Sequence, residues 1–278
     1  MRLSASVKQF LKGSALGPAW ELVRSWRTRA DLALFQPRDV HHHYGGVPLT
    51  VHLADSVGRE WYDHDWAPLR EIELLQQHQL QPGVRVLELG AHQGVIAMML
   101  AHCVGPSGSV VAVEANPRNC ALARRNAERN GVANLTVLHS AVAEREGSVT
   151  FNVVSNSQRM KHGTSLGGMV SVPAVTLDSL AAQHGRPNVV FIDIEGCEYL
   201  ALTGATATLA ARPDLFIEVH VGCGLERLGG SLAALTALLP PTAYRLLMAN
   251  DVQREYRPFD PGDRMVQDRF FLVAIALP

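Results

Sequence analysis

From residue 84 onward, short runs of aliphatic and β-branched residues alternate with stretches in which apolar side chains recur every three or four positions. Continuous apolar runs suit strands buried on both faces, and the three-to-four spacing suits amphipathic helices. The pattern therefore predicts an α/β fold, a mostly parallel sheet with helices on both faces. Residues 84–89, 109–114, 135–139, 188–193 and 215–219 read as core strands, and 244–248 and 270–276 complete a seven-stranded sheet. Residues 148–154 and 170–175 read as further strands flanking a loop near 155–168. One helix is delimited by its ends: Asn116 caps it, Pro117 suits its first position and Gly131 closes it. Another carries Cys197, Leu200, Ala201, Ala205 and Leu209 at helical spacing and runs to Pro213. Upstream, 7–34 and 68–80 read as helical and 49–53 as a strand, an N-terminal helical addition. The run His41-His42-His43 beside Gly45 and Gly46 reads as a surface loop. Residues 1–80 then form a cap or dimerisation segment and 81–278 a ligand-binding domain.

Composition narrows the classes. With 47% hydrophobic and 18% charged residues the chain suits a globular fold, and a net charge of -1 lacks the basic surplus of a nucleic-acid binder. The N-terminus departs from this balance: Arg2, Lys8, Lys12, Arg24, Arg27 and Arg29 face only Glu21 before Asp31. That charge reads as a solvated helix face, with an anionic surface or acidic partner as the alternative. No apolar stretch there reaches the length of a membrane span, so a cytoplasmic location is expected. The four cysteines share no metal-binding or redox spacing.

Candidate chemistry gathers at the carboxyl ends of the predicted strands, where open α/β sheets bind ligands. Glu88-Leu89-Gly90-Ala91-His92-Gln93-Gly94 places an acid before a glycine turn into a helix. A dinucleotide fingerprint needs glycine where His92 stands, which disfavours NAD. The turn suits S-adenosylmethionine (SAM), which has no pyrophosphate, and Glu88 is positioned for its amine, with Gly90, Ala91 and Gly94 lining the turn. Glu114, followed by Ala115, is placed to accept ribose hydroxyls, and Ser140 and Ala141 to flank the adenine. Asp193 ends the fourth core strand. Glu195 and Glu198 follow it, where negative charge favours a helix start. Glu218 and His220 fall on one side of the fifth strand, and a neutral histidine can serve as a general base.

Together the stretches LELGAHQG, VVAVEANP, RNAERNG, VTLDSL, DIEGCEYLAL and IEVH resemble the FkbM-type methyltransferase family over about residues 82–220. The resemblance implies a Rossmann-like class I fold and SAM-dependent O-methylation of a hydroxyl on a sugar, glycoside or other natural product. This chain has Glu88 where the family commonly has Asp, His92 where it usually has Asn, and Phe191 where Lys is frequent. The stretch Lys161-His162-Gly163-Thr164-Ser165 is similar to the family's G-[TS]-S loop, so His162, with Arg159 or Lys161, is an expected substrate contact, beside Glu195 and His220.

The expected reaction is attack of a substrate oxygen on the cofactor's methyl group, with His220 as base, Glu218 orienting it and Asp193 between cofactor and acceptor. Asp193 is the second candidate for base. A Mg²⁺ held by Asp193 with Glu218 or His220 ranks third. A non-catalytic scaffold and an NAD-dependent oxidoreductase are the competing classes.

Overall fold

The computed structural model describes residues 34–152 and 169–278. Residues 1–33, which hold nearly all of the predicted N-terminal helix and its basic charge, and the loop carrying Arg159, Lys161 and His162, lie outside the described residues.

The chain runs β1 (Arg38–Tyr44), β2 (Val47–Leu53), α1 (Ser56–Tyr62), α2 (Arg70–Gln76), β3 (Arg85–Leu89), α3 (Val95–Val104), β4 (Ser109–Glu114), α4 (Pro117–Arg129) and β5 (Leu135–His139). It continues through β6 (Ala141–Val142), β7 (Gly147–Asn152), β8 (Met169–Val175), α5 (Leu177–His184), β9 (Val189–Ile192), α6 (Glu198–Thr203) and α7 (Thr206–Ala210). The last elements are β10 (Asp214–Val219), α8 (Leu232–Ala237), β11 (Tyr244–Ala249), β12 (Arg257–Pro258) and β13 (Phe270–Ala276).

The main sheet has the order β12-β11-β13-β10-β9-β3-β4-β5. From β5 to β10 neighbours are parallel, and β13 inserts antiparallel between β10 and β11. The predicted seven strands are all present, and the two-residue β12 adds an eighth at the edge. Strand order reverses between β3 and β9, because the chain winds outward to β4 and β5 on one side and to β9 and β10 on the other. That switch point is where a cleft opens in such sheets. The strands predicted beside the loop form a separate three-stranded sheet, β6-β8-β7.

Alternation along the buried strands builds two cores. Leu87, Leu89, Val190, Ile192, Leu215 and Ile217 face one side, packed with Leu177, Leu180 and Leu202. Val86, Val189, Phe191 and Phe216 face the other, against α3 and residues of the N-terminal layer such as Tyr44, Val51, Tyr62 and Leu75. Hence Asp193 and Glu218, two positions beyond Phe191 and Phe216, are directed to the same side as the N-terminal layer.

Two local expectations are corrected. His41, His42 and His43 belong to β1, which pairs antiparallel with β2, so residues 38–53 are a hairpin rather than a loop preceding a lone strand. The helix predicted from Cys197 to Pro213 is broken into α6 and α7 at Gly204 and Ala205. Gly204 is pressed against Ala143 so closely that a Cβ there would lie 2.6 Å from its carbonyl oxygen. The restarted helix takes its cap from a distant residue: Asp178 accepts from Ala207 N at 2.9 Å and Thr208 N at 2.7 Å. The helix α4 has its predicted ends, with Asn116 accepting from Arg118 N and Asn119 N.

Candidate active site

A cleft of about 670 Å³ opens over the switch point, between the strand ends and the N-terminal layer. Its near end is built by the turn after β3. Gly90 has φ +95°, and a Cβ on it would lie 1.8 Å from the Asp193 carbonyl oxygen, so only glycine lets β3 and β9 close here. Gly94, at φ +84°, caps α3 in a left-handed conformation and touches Ala123 of α4 rather than lining the cleft. Ala91, Ala115, Ser140 and Ala141 all line it.

Two buried carboxylates stand at this end. Glu88 is 2% exposed, and its Oε2 has no hydrogen-bond partner among the described residues. Burial, reinforced by the charge of Glu114, pushes its pKa up to about 8. Glu114 accepts from His92 N and Asn116 N, each at 2.7 Å, yet burial still raises it to about 7. A buried acid left without a partner is costly unless a ligand completes it. The near end therefore fits SAM, whose ammonium group would meet Glu88 and whose ribose would meet Glu114.

Farther along, Asp193, Glu195 and Glu218 line the cleft. His220 is not itself among the lining residues. It is 3% exposed, and its Nε2 lies 3.9 Å from Asp193, 3.7 Å from Glu195 and 3.7 Å from Glu218. Its Nδ1 lies 2.8 Å from Glu198, a fully buried carboxylate that also accepts from Gly196 N. Burial opposes charge on the ring, but the hydrogen bond and charge of Glu198, joined by Asp193 and Glu218, raise its pKa to about 9. His220 is thus protonated at neutral pH. Asp193 opens onto the cleft but is enclosed by protein, and that burial, with the charge of Glu218 added, raises its pKa well above the carboxylate range.

Arg269 ion-pairs with Glu218 and with Asp251. It supplies a cation to a region where β9 offers none, since Phe191 stacks on Phe216 with centroids 4.1 Å apart. Asp193, Glu195 and His220 also bring one ligand atom each to within 4.8 Å of one another. Of the residues the sequence offered for a Mg²⁺, Asp193 and His220 come together, and Glu195 joins them.

The cleft is also lined by residues that no motif marked. Trp61, Tyr62, Trp66 and Glu71 come from the segment between β2 and β3, and Arg254, Tyr256 and Phe271 from the C-terminal part. Glu71 is raised to about 7 by burial. The aromatic run Trp61-Tyr62 with Trp66 was visible in the sequence, but nothing there tied it to the strand ends. Glu198, read as a dipole partner for its helix, is instead the residue that holds His220. His162 lies outside the described residues.

The family model described as Methyltransferase FkbM domain matches residues 88–226. Among curated relatives, the protein-L-isoaspartate O-methyltransferase of Methanococcoides burtonii is 31% identical over 107 residues, covering 38% of this chain and 49% of that protein. The chain spans about half the length of most of the isoaspartate methyltransferases it matches. The hexuronic acid methyltransferase AglP of Haloferax volcanii is 22% identical over 171 residues, 61% of this chain and 70% of the relative. Among solved structures, an rRNA methylase from Streptococcus thermophilus is 10% identical with a TM-score of 0.45, covering 75% of this chain and 98% of that one. Aeropyrum pernix fibrillarin with natively bound S-adenosyl-L-methionine is 12% identical with a TM-score of 0.45, covering 88% and 86%.

Proposed function

The chain belongs to the FkbM methyltransferase family, and from that membership we propose that it methylates a hydroxyl of a small acceptor, a sugar, glycoside or other natural product, using SAM. One observation carries the reading: a single cleft is lined by an orphaned buried acid suited to a cationic cofactor and, farther along, by Asp193 of a carboxylate–histidine cluster. Bound SAM supplies a methyl group already activated by its sulfonium. Glu88 and Glu114, with the Gly90 turn, hold the cofactor. Once the Asp193–His220 pair has released a proton, Asp193, which lines the cleft, receives the acceptor's hydroxyl proton, while His220 behind it shares the charge and is held by Glu198. A positioned base contributes on the order of 10² to 10⁴-fold in rate, and alignment of the reactants adds to that.

The acceptor end favours a hydroxyl-rich molecule. Carboxylates of Asp193, Glu195 and Glu218 accept hydroxyl donors, and Trp61, 54% exposed in the cleft lining, offers a flat face for a ring. An rRNA-like polyanion would meet these acids unfavourably. Protonated His220 and Arg269 offset part of the negative charge of the acidic cluster, and proton transfer rather than metal activation is the role we assign to it. Activity that vanishes in EDTA and returns with Mg²⁺ would move that role to a metal held by Asp193, Glu195 and His220.

Calorimetric titration with SAM and with NAD tests the cofactor assignment. Binding of SAM alone is expected. Binding of NAD would revive the oxidoreductase reading, and binding of neither would leave a scaffold.

A further inference from the structure

Tyr62 and His92 make a hydrogen bond in the wall of the cofactor end, and one partner comes from outside the family-matched residues. Tyr62 ends α1, a helix capped by Asp55, whose carboxylate accepts from Gly58 N at 2.8 Å. The helix sits hard against the glycine turn, since a Cβ on Gly58 would lie 2.8 Å from the side-chain oxygen of Gln93. The Tyr62 carbonyl is held from behind by the Tyr44 hydroxyl at 2.5 Å. Its ring packs on Trp66 and on His92, with centroids 5.7 Å and 5.5 Å apart. His92 is fixed independently: its backbone is left-handed at φ +48°, and its N–H donates to Glu114.

Two arrangements fit a neutral ring beside a protonated phenol, and one of them pairs more of their polar atoms. Burial lowers the His92 pKa to about 4, so the ring is neutral. The Tyr62 phenol is pushed well above its ordinary range by burial and by Glu88, Asp193 and Glu114, so it keeps its proton. The phenol O–H has no other acceptor among the described residues, so we assign it as the donor to Nδ1, 2.5 Å away. The ring proton then resides on Nε2, which bonds to nothing among the described residues, and both side chains line the cleft.

We propose that Tyr62 is a positioning residue of the cofactor site: it locks His92 as the Nε2–H tautomer, so the ring offers a neutral donor to an oxygen of SAM beside Glu114. The inference rests on the SAM reading above. It makes the N-terminal layer a working part of the site, and gives His92 a purpose where the family has Asn.

The test is Tyr62→Phe, which keeps the ring and removes the donor. Calorimetry with S-adenosylhomocysteine is expected to show a dissociation constant raised on the order of fivefold, the size of one lost hydrogen bond. Turnover should show KM for SAM raised and kcat unchanged. ¹⁵N NMR of His92 in the unmodified protein should report the Nε2–H tautomer, giving way to a mixture in the variant. Unchanged affinity in a folded variant, or an Nδ1–H tautomer in the unmodified protein, would overturn the proposal. Failure of the unmodified protein to bind S-adenosylhomocysteine would instead overturn the cofactor reading, and this inference with it.

Discussion

Glu198 shows how a single buried residue can set the chemistry of its neighbours. Its carboxylate holds His220 at 2.8 Å and keeps a proton on the ring up to about pH 9. Because His220 and Asp193 lie 3.9 Å apart, they titrate together, and the pair must release a proton before it can take one from an acceptor. The kcat/KM of the protein is therefore expected to rise with pH toward about 9. Glu198→Gln removes a negative charge, lowers the proton affinity of the pair and should move the rising limb to lower pH. A limb that stays in place would mean the pair is not what limits the rate. Asp193→Asn should lower kcat by on the order of 10² to 10⁴-fold, read at saturating SAM and acceptor, because it removes the group that meets the hydroxyl.

At the scale of elements, Asp178 links two parts of the fold that are distant in sequence. Its carboxylate caps α7 through Ala207 and Thr208. Asp178→Ala should cost about 1 kcal/mol, as loss of a helix cap does, and lower Tm by about 2–4 °C without changing SAM affinity. The same contact explains what the sequence concealed. The apolar spacing of Leu200, Ala201, Ala205 and Leu209 continues through the break, because close packing at Gly204 and a cap from Asp178 interrupt the helix, and neither acts within the local pattern. The parallel strands were legible because strands buried on both faces leave continuous apolar runs. The strand β1 was not: of Arg38-Asp39-Val40-His41-His42-His43-Tyr44 only Val40 and Tyr44 are buried, and the polar remainder reads as a loop. The site divides in the same way. Acids at the core strand ends were readable from their positions, whereas Tyr62 and Glu71 reach the cleft from helices whose local sequence carries no strand-end signal.

Across the whole molecule, the cleft lies between the sheet and the N-terminal layer, and its buried acids tie stability to pH. Glu88 and Glu114 hold their protons to about pH 8 and 7, against an ordinary value of 4.5. Between those limits the folded protein carries protons the unfolded chain has released, so stability falls as pH rises from about 4.5 to about 8. His220 acts in the same direction: its raised pKa stabilises the fold below 6.5, and that contribution is lost as pH rises toward about 9. The Tm of the ligand-free protein should accordingly decline across this range, and Glu88→Gln should flatten the decline. A Tm that climbs with pH would contradict the burial of these groups. Addition of SAM should raise Tm more at pH 8 than at pH 5, since an ammonium beside Glu88 relieves the cost of its charge.

The most direct test of the central claim is transfer of a labelled methyl group from SAM to a panel of sugars, glycosides, polyketides and isoaspartyl peptides, followed by alkaline treatment of the product. Label in a base-stable ether on a hydroxyl acceptor is the predicted result. Label released by base as from an ester, or no transfer to any hydroxyl acceptor, would contradict it.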